Sequence, residues 1–180
     1  MATYRGKFTS LDNPHKYAGD PKKILYRSLW ERNVMKWCDE NIDVLEWASE
    51  EIAIPYQHPV TGKRARYYPD FYIKFRDGTT KVIEVKPKKE TVAPESPTRK
   101  SKRWIEETAR WAINSEKWKN ANNACMKNGL KFEIWTEVEL QKMGILSWEV
   151  PKSVLLAEKR LSKSAGNKTV RKYTRPKRRS

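Results

Sequence analysis

Two strand-forming segments joined by Arg76-Asp77-Gly78 constrain this chain more than any other feature. Asp70–Phe75 and Thr80–Lys86 are rich in β-branched and aromatic residues. Gly78 between them suits the left-handed position that closes a three-residue hairpin loop. A loop that pairs Phe75 with Thr79 sets Asp70 opposite Glu84 by counting back along the ladder. Lys86, two residues further, then points to the same face. A two-residue turn at Asp77-Gly78 would instead pair Asp70 with Val85 and disperse these groups, so the register decides the chemistry. Like charges directly opposite one another destabilise a sheet. In the first register something must offset the two carboxylates, and a divalent cation is the simplest candidate.

A second anomaly lies upstream. Asp20-Pro21 reads as a helix start, with Asp as N-cap and Pro in the first turn, and the helix is expected to run to about Asn41. Its apolar stripe is Ile24, Ser28, Met35 and Cys38, with Val34 beside it, and Glu31 falls inside that stripe. A glutamate there must be paired, metal-bound or protonated. An ion pair with Arg27 is its plain structural alternative. For Asp70 and Glu84 the alternative is a pair of surface acids matched to lysines, and for Lys86 a solvated strand end before Pro87.

The remaining elements follow by periodicity. Strands are expected at Val44–Trp47, Glu51–Tyr56 and Arg64–Tyr68. A connection rich in Lys, Pro, Glu and Thr spans 87–100. A long helix is expected from Ser101 to Asn128, ended by Gly129, with Trp104, Ile105, Thr108, Trp111, Ala112, Ser115, Trp118 and Cys125 on one face. A strand over Leu130–Trp135 and a helix over Thr136–Met143 complete the order. Helix, strands, helix, strand predicts an α/β (α+β) domain: a mixed sheet flanked by helices. The expected organisation is an N-terminal arm over 1–19, a globular domain over 20–158 and a basic disordered tail over 159–180.

Charge narrows the partners. The net charge is +16. The segment 159–180 holds ten Lys or Arg and no acid, yet residues 1–158 still carry 28 Lys or Arg against 22 acids. Such a balance points to nucleic acid. Arg27 and the tail cations Lys159, Arg160, Lys172, Arg175, Lys177, Arg178 and Arg179 form the expected DNA-binding set. Cys38 and Cys125 fall on apolar helix faces and read as free thiols in a reducing compartment. No signal-peptide h-region and no apolar run of about 20 residues is present, so an intracellular, soluble protein without a membrane partner is expected. Two histidines, no paired CxxC, no Gly-rich phosphate loop and no nucleophile elbow argue against zinc, nucleotide and serine chemistry, and no organic cofactor is expected.

Two acids at adjacent strand ends can hold Mg²⁺, or Mn²⁺ in its place, since both favour oxygen ligands. The Val85 carbonyl can serve as a third ligand, and Glu31 can complete the shell directly or through a water. Lys86 would orient an attacking water or stabilise charge on a phosphorus centre. The expected catalytic set is Glu31, Asp70, Glu84 and Lys86. The expected metal set is Asp70, Glu84, Val85 and Glu31.

With these residues in view the chain resembles the PD-(D/E)xK nuclease superfamily, through Pro69-Asp70, Glu84-Val85-Lys86 and Glu31 on the preceding helix. Tyr26–Glu31 and Lys131–Thr136 are similar to its TnsA-like branch. Residues 1–150 more narrowly resemble the head-completion nucleases of T4-type tailed phages, through Tyr4–Phe8, Gly19–Lys23 and Trp47–Glu51. The resemblance implies a restriction-endonuclease-like fold and Mg²⁺-dependent endonuclease and exonuclease activity on double-stranded DNA. It further implies action late in phage head morphogenesis, in the host cytoplasm or on the head itself. There the protein would process packaged DNA at the portal vertex, beside portal or neck proteins, so that heads can join tails. A transposition endonuclease or junction resolvase of similar fold is one alternative reading. A structural neck or DNA-binding protein on an inert nuclease fold is another, as is an RNA-binding protein.

Overall fold

A computed structural model of the chain describes residues 5–146. The tail over 159–180, including Lys159, Arg160, Lys172, Arg175, Lys177, Arg178 and Arg179, lies outside the described residues.

The register question resolves first. Strands β6 (Phe71–Phe75) and β7 (Thr80–Val85) pair antiparallel, with Lys74 opposite Thr80 and Phe71 opposite Ile83. The Phe75 N–H donates to the Thr79 carbonyl at 2.8 Å, and Gly78 takes φ +84°. That left-handed conformation is open to glycine without a Cβ penalty. Continued one step beyond Phe71 and Ile83, this register sets Asp70 opposite Glu84.

The hairpin forms the centre of a four-stranded mixed sheet, with one further strand on either side of it. β3 (Val44–Ser49) pairs antiparallel with β6, and β8 (Lys131–Trp135) runs parallel to β7. A parallel neighbour needs a long crossover, supplied here by α2 (Lys102–Lys127), whose N-cap Ser101 accepts from the Trp104 N–H. Two short strands, β4 (Ile54–Gln57) and β5 (Arg64–Tyr67), form a separate antiparallel ribbon. α3 (Glu137–Lys142) follows β8 and is closed by a capping box between Thr136 and Glu139. No helix among the described residues is long and apolar enough to cross a membrane.

The alternation of side chains on β7 divides the core. Ile83 and Val85 join Phe71, Ile73, Trp47 and Trp135 in a cluster against α1 (Leu29–Glu40), α3 and the N-terminal segment. On the other face, Ile134 and Phe132 pack with Ile54, Tyr56, Tyr67, Trp118 and Ala121 between the ribbon and α2. Of the predicted stripe on α2, the C-terminal half is buried at Trp118 and Cys125, whereas Ile105 is exposed.

The first helix starts later than expected. Asp20 does not cap it. Its Oδ1 accepts from the Lys22 N–H and its carbonyl from the Lys23 N–H, forming a turn, and β2 (Leu25–Tyr26) then pairs with β1 (Gly6–Lys7). Asp-Pro serves the first two positions of a turn as well as a helix start. Ser28 is the true N-cap, its side chain accepting from the Glu31 N–H. Ile24 is therefore buried from a turn rather than from a helix stripe. The segment before this turn is part of the body, since Phe8 and Tyr17 pack edge-on against the fully buried Trp47. Elsewhere the expected boundaries shift by one to three residues.

Candidate active site

Asp70 and Glu84 come together because the hairpin loop fixes the register, and on the same face Tyr67 enters from the ribbon. Glu84 is only 5% exposed. Its Oε2 accepts a short 2.6 Å hydrogen bond from the Tyr67 hydroxyl, and its Oε1 lies 3.2 Å from the Lys86 ammonium. Asp70 Oδ2 accepts from the Val85 N–H at 2.7 Å. The glutamate is thus fixed through both oxygens and the aspartate through one.

The electrostatics follow from this crowding. Burial raises the Asp70 pKa well above the ordinary carboxylate range, and the Glu84 charge raises it further. Lys86 and the Val85 N–H oppose the shift without cancelling it, and Glu31 adds to it. Burial works against a charged Lys86, but Glu84 and Asp70 outweigh it and keep its pKa raised, so the ammonium holds its proton. The Tyr67 phenol is pushed far up by burial and by Glu84. It therefore stays protonated and donates.

Glu31 sits in the first turn of α1, half-buried. Its Oε2 accepts from the Arg27 N–H at 2.7 Å and its Oε1 from the Ser28 hydroxyl at 2.8 Å. Both oxygens are thus engaged within the first turn, and the Glu31 charge makes the smallest of the contributions that raise the Asp70 pKa. The Arg27 side chain is largely exposed and pairs with Glu50 at 2.9 Å. Glu50 was not singled out by sequence reasoning. It adopts φ +56°, unusual without glycine, and its N–H donates to the Asp70 carbonyl at 3.2 Å. Tyr67 was missed as well. Its signal was present, an aromatic three residues before Asp70 on a segment expected as a strand, but the ribbon register that turns it inward was not legible. His58 accepts from the Val60 and Thr61 N–H groups in the ribbon turn.

Among the described residues no three His, Cys, Asp or Glu side chains gather to cage a cation. The donors at this centre are instead a carboxylate pair, Glu84 buried and Asp70 part-buried, whose mutual repulsion lacks a full counter-charge. Mg²⁺ suits such a centre, because it keeps several waters and binds through one or two carboxylates together with substrate phosphates. The residues fit the ion on the chemistry of the donor set.

Comparison with known proteins gives concordant findings. Residues 41–137 match the family described as TnsA-like endonuclease N terminal, a span that includes Asp70, Glu84, Val85 and Lys86 but begins after Glu31. The chain is also 43% identical over 145 residues to the Head completion nuclease of Enterobacteria phage T4, covering 78% of this chain and 96% of that relative.

Proposed function

This chain belongs to the TnsA-like endonuclease family of PD-(D/E)xK nucleases, and from that premise we propose that it is a divalent-metal-dependent deoxyribonuclease of phage head completion. The observation that carries the reading is the Asp70–Glu84 pair, with Glu84 buried, and Lys86 on the same strand end. The reaction is hydrolysis of a phosphodiester: a water oxygen bonds to phosphorus, the bond to one bridging oxygen breaks, and that oxygen leaves with a proton. A bound Mg²⁺ or Mn²⁺ would supply a lowered water pKa and stabilisation of developing negative charge. Asp70, Glu84 and the Val85 carbonyl are the oxygens proposed to hold it, with Glu31 contributing directly or through a water. Lys86, charged and half-buried, orients the attacking water or stabilises charge on the phosphoryl oxygens. Tyr67 and the Val85 N–H hold the two carboxylates in place.

The substrate in this reading is double-stranded DNA, cut internally and trimmed from ends. The setting is late head morphogenesis in the host cytoplasm, at the portal vertex beside portal or neck proteins, with the head itself a site of association. The name of the T4 relative and the basic body of the chain support it. The test is incubation of the purified protein with linear and circular duplexes, with and without EDTA. Cleavage that needs Mg²⁺ or Mn²⁺ is expected. Undiminished cutting under chelation rules out the metal mechanism, and no cutting with any divalent ion favours a structural neck protein.

Tyr67→Phe is expected to weaken divalent-cation binding and turnover by about 10–100-fold, the usual cost of losing a partner that orients a metal ligand. Calorimetric Mn²⁺ titration reads the binding independently of activity. Unchanged affinity would remove Tyr67 from the site.

A further inference from the structure

The β4–β5 ribbon has two unlike faces. Ile54, Tyr56 and Tyr67 are buried against Trp118 and Ala121, so the inward face belongs to the core. On the outward face Pro55 stands opposite Arg66 and Gln57 opposite Arg64, all four exposed. The whole segment 52–69 contains no acid, while it carries Lys63, Arg64 and Arg66. None of these three cations joins an ion pair among the described residues, in contrast to Arg27, Lys81, Lys86 and Arg103. Packing therefore does not require these arginines, and no acid among the described residues neutralises them.

Their placement relative to the site is direct. β5 leads through Tyr68-Pro69 into Asp70, and Tyr67, between the outward Arg66 and Tyr68, ties the ribbon to Glu84. Arg64 and Arg66 are spaced by two strand residues, about 6.7 Å, a separation that suits neighbouring phosphates along one DNA strand. From Arg64 to Asp70 the chain can span at most about 21 Å, or about six base-pair steps. A guanidinium matches phosphate bidentately, and a two-stranded ribbon is narrow enough for the major groove of a duplex.

We propose that the outward face of this ribbon seats the phosphate backbone of duplex DNA beside the cut, with Arg64 and Arg66 as the phosphate-holding residues. The proposal rests on the nuclease reading for what happens at Asp70 and Glu84, and it names where the flanking duplex lies.

The test compares the full chain with R64Q/R66Q and with K127Q/K131Q. The second pair removes the same charge from exposed positions. Lys131 pairs with Lys81 at the far end of β7 from Glu84. Binding to a 20-base-pair duplex is measured across a salt series in EDTA, and cleavage kinetics with Mg²⁺, after melting curves establish that both variants fold. Losing two phosphate contacts should lower the slope of log K against log salt by about 1.8 and weaken binding by up to about 60-fold at 0.1 M salt. KM should rise for R64Q/R66Q with kcat unchanged, while K127Q/K131Q stays at the wild-type slope. Wild-type slope and KM in R64Q/R66Q overturn the proposal and leave the nuclease reading standing. Equal losses in both pairs also overturn it, because the effect is then net charge. A wild type that never cuts, yet loses slope only in R64Q/R66Q, sinks the nuclease reading and supports the ribbon.

Discussion

Asp70→Asn is expected to abolish DNA cleavage while raising the melting temperature of the metal-free protein at neutral pH. Asparagine keeps an oxygen for the Val85 N–H, so the fold loses no partner. What goes is a charge facing Glu84 in a buried site. Because the folded-state pKa of Asp70 lies above its ordinary value of 3.8, the folded protein binds more protons than the unfolded chain between those two points. Stability therefore falls as pH rises through that window, and the cost is complete above the folded pKa. The variant escapes this cost. Its advantage should be absent below the ordinary aspartate pKa and grow toward neutrality. Added Mg²⁺ or Mn²⁺ should reverse the order, since an ion that binds only the native wild type stabilises it by mass action. Cleavage should fall by at least about a thousand-fold, or about 4 kcal/mol of transition-state stabilisation. Melting scans from pH 3 to 8, with and without Mn²⁺, and a cleavage assay check each part. A variant that melts lower without metal and still cuts would make the carboxylates structural.

The pairing behind this prediction was legible because a strand has a period of two and Gly78 can close only certain loops. Once Phe75 met Thr79, the opposition of Asp70 and Glu84 and the position of Lys86 followed. The start of α1 was not legible on the same terms. Asp20-Pro21 and Ser28 with Glu31 are both acceptable helix starts, and the choice went to the second because Leu25–Tyr26 found a partner in Gly6–Lys7. That strand pair is a tertiary event with no local signature. The surroundings of Glu31 differ from the expected ones as well. The residue stands in the first helical turn, where an acid complements the helix dipole, rather than midway along a stripe. Tyr67 and Glu50 were hidden because each depends on how a non-local segment docks. The outward arginines of the ribbon were hidden for the same reason, since an acid-free stretch says nothing of which side chains face the core.

Asp39→Ala is expected to destabilise the protein by about 3 kcal/mol, from the loss of a buried, charge-assisted set of hydrogen bonds. Asp39 is 1% exposed at the C-terminal end of α1, where an acid opposes the helix dipole. The N-terminal segment resolves that conflict. The carboxylate accepts from the Asp12 N–H at 2.7 Å and from the Asn13 N–H at 3.1 Å. The Asp39 carbonyl, left without a helical partner, accepts from Asn13 Nδ2 at 3.0 Å and from Lys16 Nζ at 2.9 Å. Residues 12–16 thus cap α1 from outside, and Tyr17 follows directly onto Trp47 at 4.7 Å between ring centroids. Alanine removes the acceptor and strands the two backbone N–H groups in a partly buried setting. The segment should loosen from α1 while the hairpin stays formed, because no part of the Asp70–Glu84 register depends on it. Urea denaturation should show the loss as a lower midpoint, and hydrogen exchange should show it first at Asp12 and Asn13. Cleavage per folded molecule should be retained below the new midpoint. An unchanged midpoint would mean that water satisfies these groups and that the segment is held by Phe8 and Tyr17 alone.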